Sequence, residues 1–413
     1  MIEFFIENRY IIAEFKGENM PVQDRVFQTV QDAKKAKDQY GERVINATLG
    51  SLYDETPELV AYDSFYDVFE SLSRKELAAY ASHLQGTPDY REAIQEWLGV
   101  HDVEVIATPG SSGALSAVIH ESMPVGSTLI IPSIYWGPYE MMAQFQHHNI
   151  KTYELFHEEG FHLKDFKRVT TEVMQDQGFV TILINDPAQN PTGYSMSDAE
   201  WAGVMKRLSA LTEHGEVHLI VDIAYIDYTK SDDRRRSLFR FFEHLPEKLN
   251  VYVCASLSKS ATAYGLRLGA LVLFSQQKAE LFQTYSMAAR SMWSNVNNGG
   301  QIAFSKVIKN KGLKEAFVKE QQVYIDMLNA RSELFMAEAK AIGLPMYPHK
   351  EGFFVTIPLD VTYREAVDKA LRDDLIFTIS LAGGVRVALC AIPLRQVKGL
   401  AAKIKTAIEQ ATK

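Results

Sequence analysis

Short runs of β-branched and other apolar residues punctuate the first two-thirds of the chain: VEVIATPG (103–110), STLIIPS (127–133), FVTILIND (179–186), HLIVDIAY (218–225), NVYVCASLS (250–258) and LGALVLF (268–274). Between them the apolar positions recur at helical spacing. That alternation predicts an α/β fold, a mostly parallel sheet with helices on both faces. From about residue 300 the texture changes to long charged helical runs such as KGLKEAFVKEQQVYIDMLNARSELFMAEAKAIG, followed by GFFVTIPL and GGVRVALCAIP. These predict a second, smaller α+β lobe. The expected division is an N-terminal arm and the start of the small lobe in 1–45, a large lobe in 46–300, and the rest of the small lobe in 301–413. The opening stretch MIEFFIENRYIIAEFKGE is apolar in patches but broken by Glu3, Glu7, Arg9 and Glu14. It reads as an amphipathic arm, and not as a secretory segment or a membrane span.

A chain of 413 residues implies two or three structural units, and 46% apolar with 23% charged residues is ordinary globular composition. The net charge of −9 and the lack of a long basic block argue against a nucleic-acid partner. Two cysteines, Cys254 and Cys390, without CxxC spacing suggest neither a disulfide framework nor a zinc ribbon. A reducing cytoplasm is the expected setting. HEEGFH (157–162) offers His157 and His162, but five positions apart they miss the HExxH spacing, so no metal is expected.

Open α/β sheets bind ligands at the carboxyl ends of their strands, and polar clusters fall at those ends. TPGSSGAL (108–115) follows one strand and opens a helix, presenting free backbone N–H groups to an anion. It lacks the GxGxxG and GxxxxGK patterns, which sets aside a dinucleotide or P-loop reading. NDPAQNPTGYS (185–195) closes another strand with two proline turns. VDIAY (221–225) sets Asp222 and Tyr225 three apart at a strand end, and SLSKSATAYGLRLGA (256–270) places Lys259 among small hydroxylated residues ahead of Arg267 and Gly269. Each cluster alone has a plain structural explanation.

In this order, GSSGA, NPTG, DxAY and SxSK followed by an arginine and a glycine, the clusters resemble the fold type I pyridoxal-phosphate enzymes, specifically the class I aminotransferases of the aspartate/aromatic group. The resemblance spans roughly residues 45–395. It implies pyridoxal 5′-phosphate as cofactor, with Lys259 as the lysine that binds its aldehyde and moves the proton. Ser256 and Arg267, with Gly110, Ser111 and Ser112, match the phosphate ligands. Asp222 matches the carboxylate that pairs with the pyridine nitrogen and keeps the ring an electron sink. Tyr225 and Asn190 match the pair that hydrogen-bonds the ring's phenolic oxygen. In PSIYWGPY (132–139), Trp136 matches the tryptophan that stacks on the ring.

For the substrate, Arg386 in GGVRVAL matches the arginine that clamps the α-carboxylate, and Gly50 in INATLGSLYDE matches a nearby glycine loop, with Asn190 beside them. RSMWSN (290–295) resembles a segment that reaches across a dimer interface to a side-chain carboxylate, which makes Arg290 a dicarboxylate sensor. The family continues Ser-Asn-Pro-Pro where this chain reads SNVNNGG. Tyr80 is the best match to the tyrosine that a partner subunit brings to the phosphate. The resemblance thus implies a homodimer with shared sites acting on an amino acid and a 2-oxo acid. A lyase or decarboxylase of the same fold is the alternative, since the pocket chooses which bond breaks.

Overall fold

The structure is a computed structural model, and it describes residues 25–412 apart from 232 and 382. The expected amphipathic arm lies outside the described residues. The architecture is α/β, as the alternation implies. Seven strands form the large sheet: β1 (Glu104–Thr108), β2 (Thr128–Pro132), β3 (Asn149–Tyr153), β4 (Phe179–Asn185), β5 (Glu216–Asp222), β6 (Leu249–Ser256) and β7 (Gly269–Phe274). Their spatial order is β1-β7-β6-β5-β4-β2-β3. All neighbours run parallel except β7, which is antiparallel to both β1 and β6.

The central strands are apolar almost throughout because helices cover both faces, and every residue of β6 and β7 is buried. The edge strand β3 reads NIKTY and is mostly accessible, so its sequence carries no comparable apolar run. Register lines up the polar residues at one end of the sheet. Asn185 sits opposite Asp222 and Asp222 opposite Cys254, while Gly269 faces both Ser256 and Thr108. Just beyond β1 the helix Gly110–Glu121 begins under this same end and packs on β6 and β7.

Beyond the sheet, the 31-residue helix Lys311–Ala341 leads to strands β8 (Phe354–Pro358), β9 (Ile379–Ser380) and β10 (Gly384–Ala388), an antiparallel sheet in the order β8-β10-β9. Val355, Ile357, Val385 and Val387 form a second apolar core with the helices Arg364–Asp373 and Leu400–Ala411, and Ile45 and Ala47 join it from far upstream. Burying each such aliphatic side chain contributes about 1.5–3 kcal/mol. One seam between the two cores is closed by Arg331, fully buried on the long helix, which donates to Glu55 Oε1 at 2.7 Å and to the carbonyls of Tyr53 and Leu389.

Candidate active site

The strand ends and the small sheet enclose a cavity of about 320 Å³. Its wall includes Lys259, Asp222, Tyr225, Asn190, Arg267 and Arg386. Gly50, Ser111, Ser112, Trp136 and Ser256 also border it. Residues 338 positions apart in sequence, Thr48 and Arg386, thus meet at one place.

Lys259 sits in the single turn Leu257–Ser260 that follows β6. Its amine donates to the Gly50 carbonyl and lies 4.8 Å from the centre of the Tyr264 ring. Burial, together with the nearby Arg386 and Arg267 guanidinium groups, pulls its pKa down to about 8, against the pull of Cys390 and Asp222. A lysine so placed is a nucleophile near neutral pH. Across the cavity, burial pushes the Asp222 carboxyl up to about 6, opposed by the hydrogen bonds it accepts and by the Lys259 charge. Its Oδ2 accepts from the Tyr139 hydroxyl at 2.7 Å and its Oδ1 from the Ala224 N–H at 3.0 Å.

Asn190 reaches the Tyr225 hydroxyl at 3.5 Å through Nδ2, and its Oδ1 accepts from Arg386 Nη1 at 3.3 Å. Arg386 is buried, donates from Nη2 to the Thr48 carbonyl at 2.8 Å, and lies 4.5 Å from the Phe354 ring centre. Among the described residues its Nε finds no partner. A buried donor left open in this way fits an incoming carboxylate.

The opposite end of the cavity is shaped for an anion. Ser256 caps the Lys259 turn, accepting from Ser258 N–H at 3.2 Å. Arg267, held at φ +49°, donates to Ser258 Oγ at 3.0 Å and packs on Gly110 at the start of the helix Gly110–Glu121. A Cβ on Gly110 would come within 2.8 Å of Arg267 Nη2, and Gly110 is itself at φ +70°. The positive φ favours glycine there, and a side chain would displace the Arg267 guanidinium. Helix N–H groups, serine hydroxyls and a guanidinium in one corner fit a phosphate. A lysine, a carboxylate and an aromatic ring fit the rest of a phosphorylated pyridine aldehyde.

Trp136 is half-buried at the cavity edge, with Tyr139 edge-on to it at 5.3 Å between ring centres. Two residues singled out from the sequence stand apart from the cavity. Tyr80 is 86% exposed. Arg290, near the end of the helix Lys278–Met292, is exposed and donates to Ser294 Oγ at 2.6 Å. The segments that carry them meet, since Asn295 exchanges hydrogen bonds with the Ala81 backbone in both directions, at 2.9 and 3.1 Å.

Sequence reasoning passed over Tyr139, Ser258, Tyr264, Asn185 and Thr48, all of which border the cavity. Tyr139 could have been found, since it falls three positions after Trp136 at the start of the helix Pro138–Phe145, where its N–H closes a turn on the Trp136 carbonyl at 3.0 Å. Thr48 and Asn185 act through backbone carbonyl and side-chain contacts that carry no motif.

Comparison with known proteins agrees with this geometry. The family model described as aminotransferase class I and II matches residues 60–404. A solved aminotransferase from Anaerococcus prevotii is 34% identical with a TM-score of 0.90, covering 96% of this chain and 98% of that one. The aromatic-amino-acid aminotransferase of Burkholderia pseudomallei, solved covalently bound to pyridoxal phosphate, is 19% identical at a TM-score of 0.79, covering 95% of this chain and 99% of that one, and so shares the fold. The mitochondrial aspartate aminotransferase of Arabidopsis thaliana is 24% identical over 259 residues, 59% of this chain. That match spans 56% of the relative's length.

Proposed function

Since the chain belongs to the class I and II aminotransferases of fold type I, which work with pyridoxal phosphate, we propose that it moves the amino group of L-aspartate or an aromatic L-amino acid to a 2-oxo acid such as 2-oxoglutarate. The observation that carries this reading is the pairing, on one cavity wall, of a buried amine of lowered pKa with a buried guanidinium whose Nε is open.

When bound, the cofactor supplies an aldehyde carbon for the amino group and a ring that accepts the electron pair left at the substrate Cα. Ser256, Arg267 and the Gly110–Ser112 turn hold its phosphate, Asp222 its ring nitrogen, and Trp136 its ring face. Asn190 and Tyr225 hydrogen-bond its phenolic oxygen. Arg386 clamps the α-carboxylate, which turns the Cα–H bond toward Lys259. The Lys259 amine then takes the proton from Cα, acting as general base. Phe354 and Leu49 line the cavity beside these groups and limit water there. Two copies pair through the face that carries Tyr80 and Arg290, which brings Tyr80 to the partner's phosphate and Arg290 to the side-chain carboxylate of a dicarboxylic substrate. The enzyme works in the cytoplasm.

The test is a single half-reaction. The cofactor-loaded protein is mixed with L-aspartate, and separately with L-phenylalanine, with no 2-oxo acid present. Release of one equivalent of the matching 2-oxo acid per site supports the proposal and ranks the donors. Continuous release of carbon dioxide or ammonia without an acceptor would overturn it in favour of a decarboxylase or lyase.

A further inference from the structure

The loop that precedes β8 places a buried carboxylate behind the active site, where the proposed reaction gives it no role. Glu351 is 5% exposed. Its Oε1 accepts from the Ser195 hydroxyl, and its Oε2 accepts from the Lys230 backbone N–H at 2.5 Å. Ser195 closes the loop that carries Asn190, and its Oγ also accepts from the Ala188 N–H at 2.8 Å. Lys230 lies five residues beyond Tyr225 on the other segment. One carboxylate therefore ties the segment that delivers Asn190 to the segment that delivers Tyr225.

The neighbours of Glu351 reinforce the grip. The Lys350 and Glu351 N–H groups both donate to the Gly193 carbonyl, at 2.9 and 3.0 Å. Gly193 is at φ +72°, and a Cβ there would meet the Glu351 carbonyl at 2.5 Å, so the loop and the Glu351 segment approach as closely as backbones can. On the other side Phe353 packs edge-on to Tyr225 and Tyr228, at 5.2 and 4.7 Å between ring centres. Among the described residues Glu351 has no ion-pair partner, and its two oxygens are met by these hydrogen-bond donors. A buried carboxylate is retained at a cost of desolvation that an apolar side chain would avoid.

We propose that Glu351 is a positioning residue that sets the Asn190–Tyr225 pair, holding the two side chains at the separation with which they meet the cofactor's phenolic oxygen. This rests on the proposed roles of Asn190 and Tyr225. It acts through Ser195 on one side and through the Lys230 backbone on the other, and touches neither substrate nor cofactor itself.

The experiment compares Glu351→Gln, Asn190→Ala and the double variant as cofactor-loaded enzymes. Three quantities are read: kcat/KM, the pH midpoint of the cofactor's visible absorbance, and thermal stability. The substituted amide keeps one acceptor oxygen where the carboxylate has two, so volume is kept while the charge is lost and the tie to Ser195 is reversed or that to Lys230 broken. The expected result is a fall of about tenfold in kcat/KM and a displacement of the absorbance midpoint in the same direction as in Asn190→Ala. The double variant then falls by less than the product of the two single losses, because one of the two arms through which Glu351 acts ends at Asn190. A Glu351→Gln enzyme with lowered thermal stability but an unmoved midpoint would overturn the positioning role. An unmoved midpoint in Asn190→Ala would overturn the reading of Asn190 and the role of Glu351 with it.

Discussion

The cavity floor and the segments that carry Tyr80 and Arg290 differ in exposure and in the partners they find within the chain. On the floor, Asp222, Asn190 and Arg386 are buried and Lys259 half-buried, all already positioned by partners within the chain, from Gly50 to Tyr139 and Thr48. Tyr80 and Arg290, by contrast, are exposed: Asn295 holds the Ala81 backbone beside Tyr80, and Arg290 donates to Ser294 on its own segment. Chemistry requires preorganised groups of shifted pKa, which burial supplies. The role proposed for Tyr80 and Arg290 toward a second copy requires groups free at the surface.

The largest effect on the floor is expected from Lys259→Ala. The expected loss in kcat is about 10⁴-fold, at the upper end for removal of a general base, while the phosphate corner still retains the cofactor on gel filtration. Activity within about tenfold of the unmodified enzyme would remove Lys259 from the mechanism. Outside the cavity, Arg290→Ala is expected to lower kcat/KM for aspartate and glutamate by about 10²-fold, the scale of a lost charge-assisted contact, with phenylalanine and tyrosine changed less than about threefold. Equal losses for all four amino acids would end the dicarboxylate reading and leave the floor intact.

A pH series tests the floor by itself. Because Lys259 has a pKa lowered to about 8, its amine is neutral and nucleophilic above that value and protonated below it. Uptake of pyridoxal phosphate by the cofactor-free protein is therefore expected to quicken about tenfold per pH unit below about pH 8 and to level off above it. A rate still climbing through about pH 10 would mean that the lysine keeps its ordinary pKa. The smallest effect is expected from Tyr80→Phe, a loss of about fivefold in cofactor affinity from one hydrogen bond at the interface, measured by equilibrium dialysis at concentrations where the protein is a dimer by light scattering. No change in affinity would separate Tyr80 from the phosphate.

The alternation of apolar runs and helical stretches made the large sheet legible, because strands buried on both faces must be apolar along their whole length. It failed for β3, whose edge position leaves Asn149 and Thr152 at the surface and removes that signature. Lys259, Asp222, Asn190 and Arg267 were legible because the site is built from short motifs at strand ends, each a local turn with its own residue requirements. Tyr139 falls within the PSIYWGPY run, yet its link to Asp222 was not readable, since 83 positions separate them. Glu351 carried no signal at all.

By itself the sequence determined the order of the elements and the strand-end turns, which follow from local rules of burial and turn geometry. The aldehyde, phosphate and carboxylate roles of those turns came from the resemblance of their order to a known family. The tertiary structure alone decided which groups share a cavity, that burial brings the Lys259 amine to about 8, and that Arg290 stands outside the cavity its own chain encloses. Desolvation and encounter between distant segments depend on the packing of the whole chain, and no local stretch encodes them.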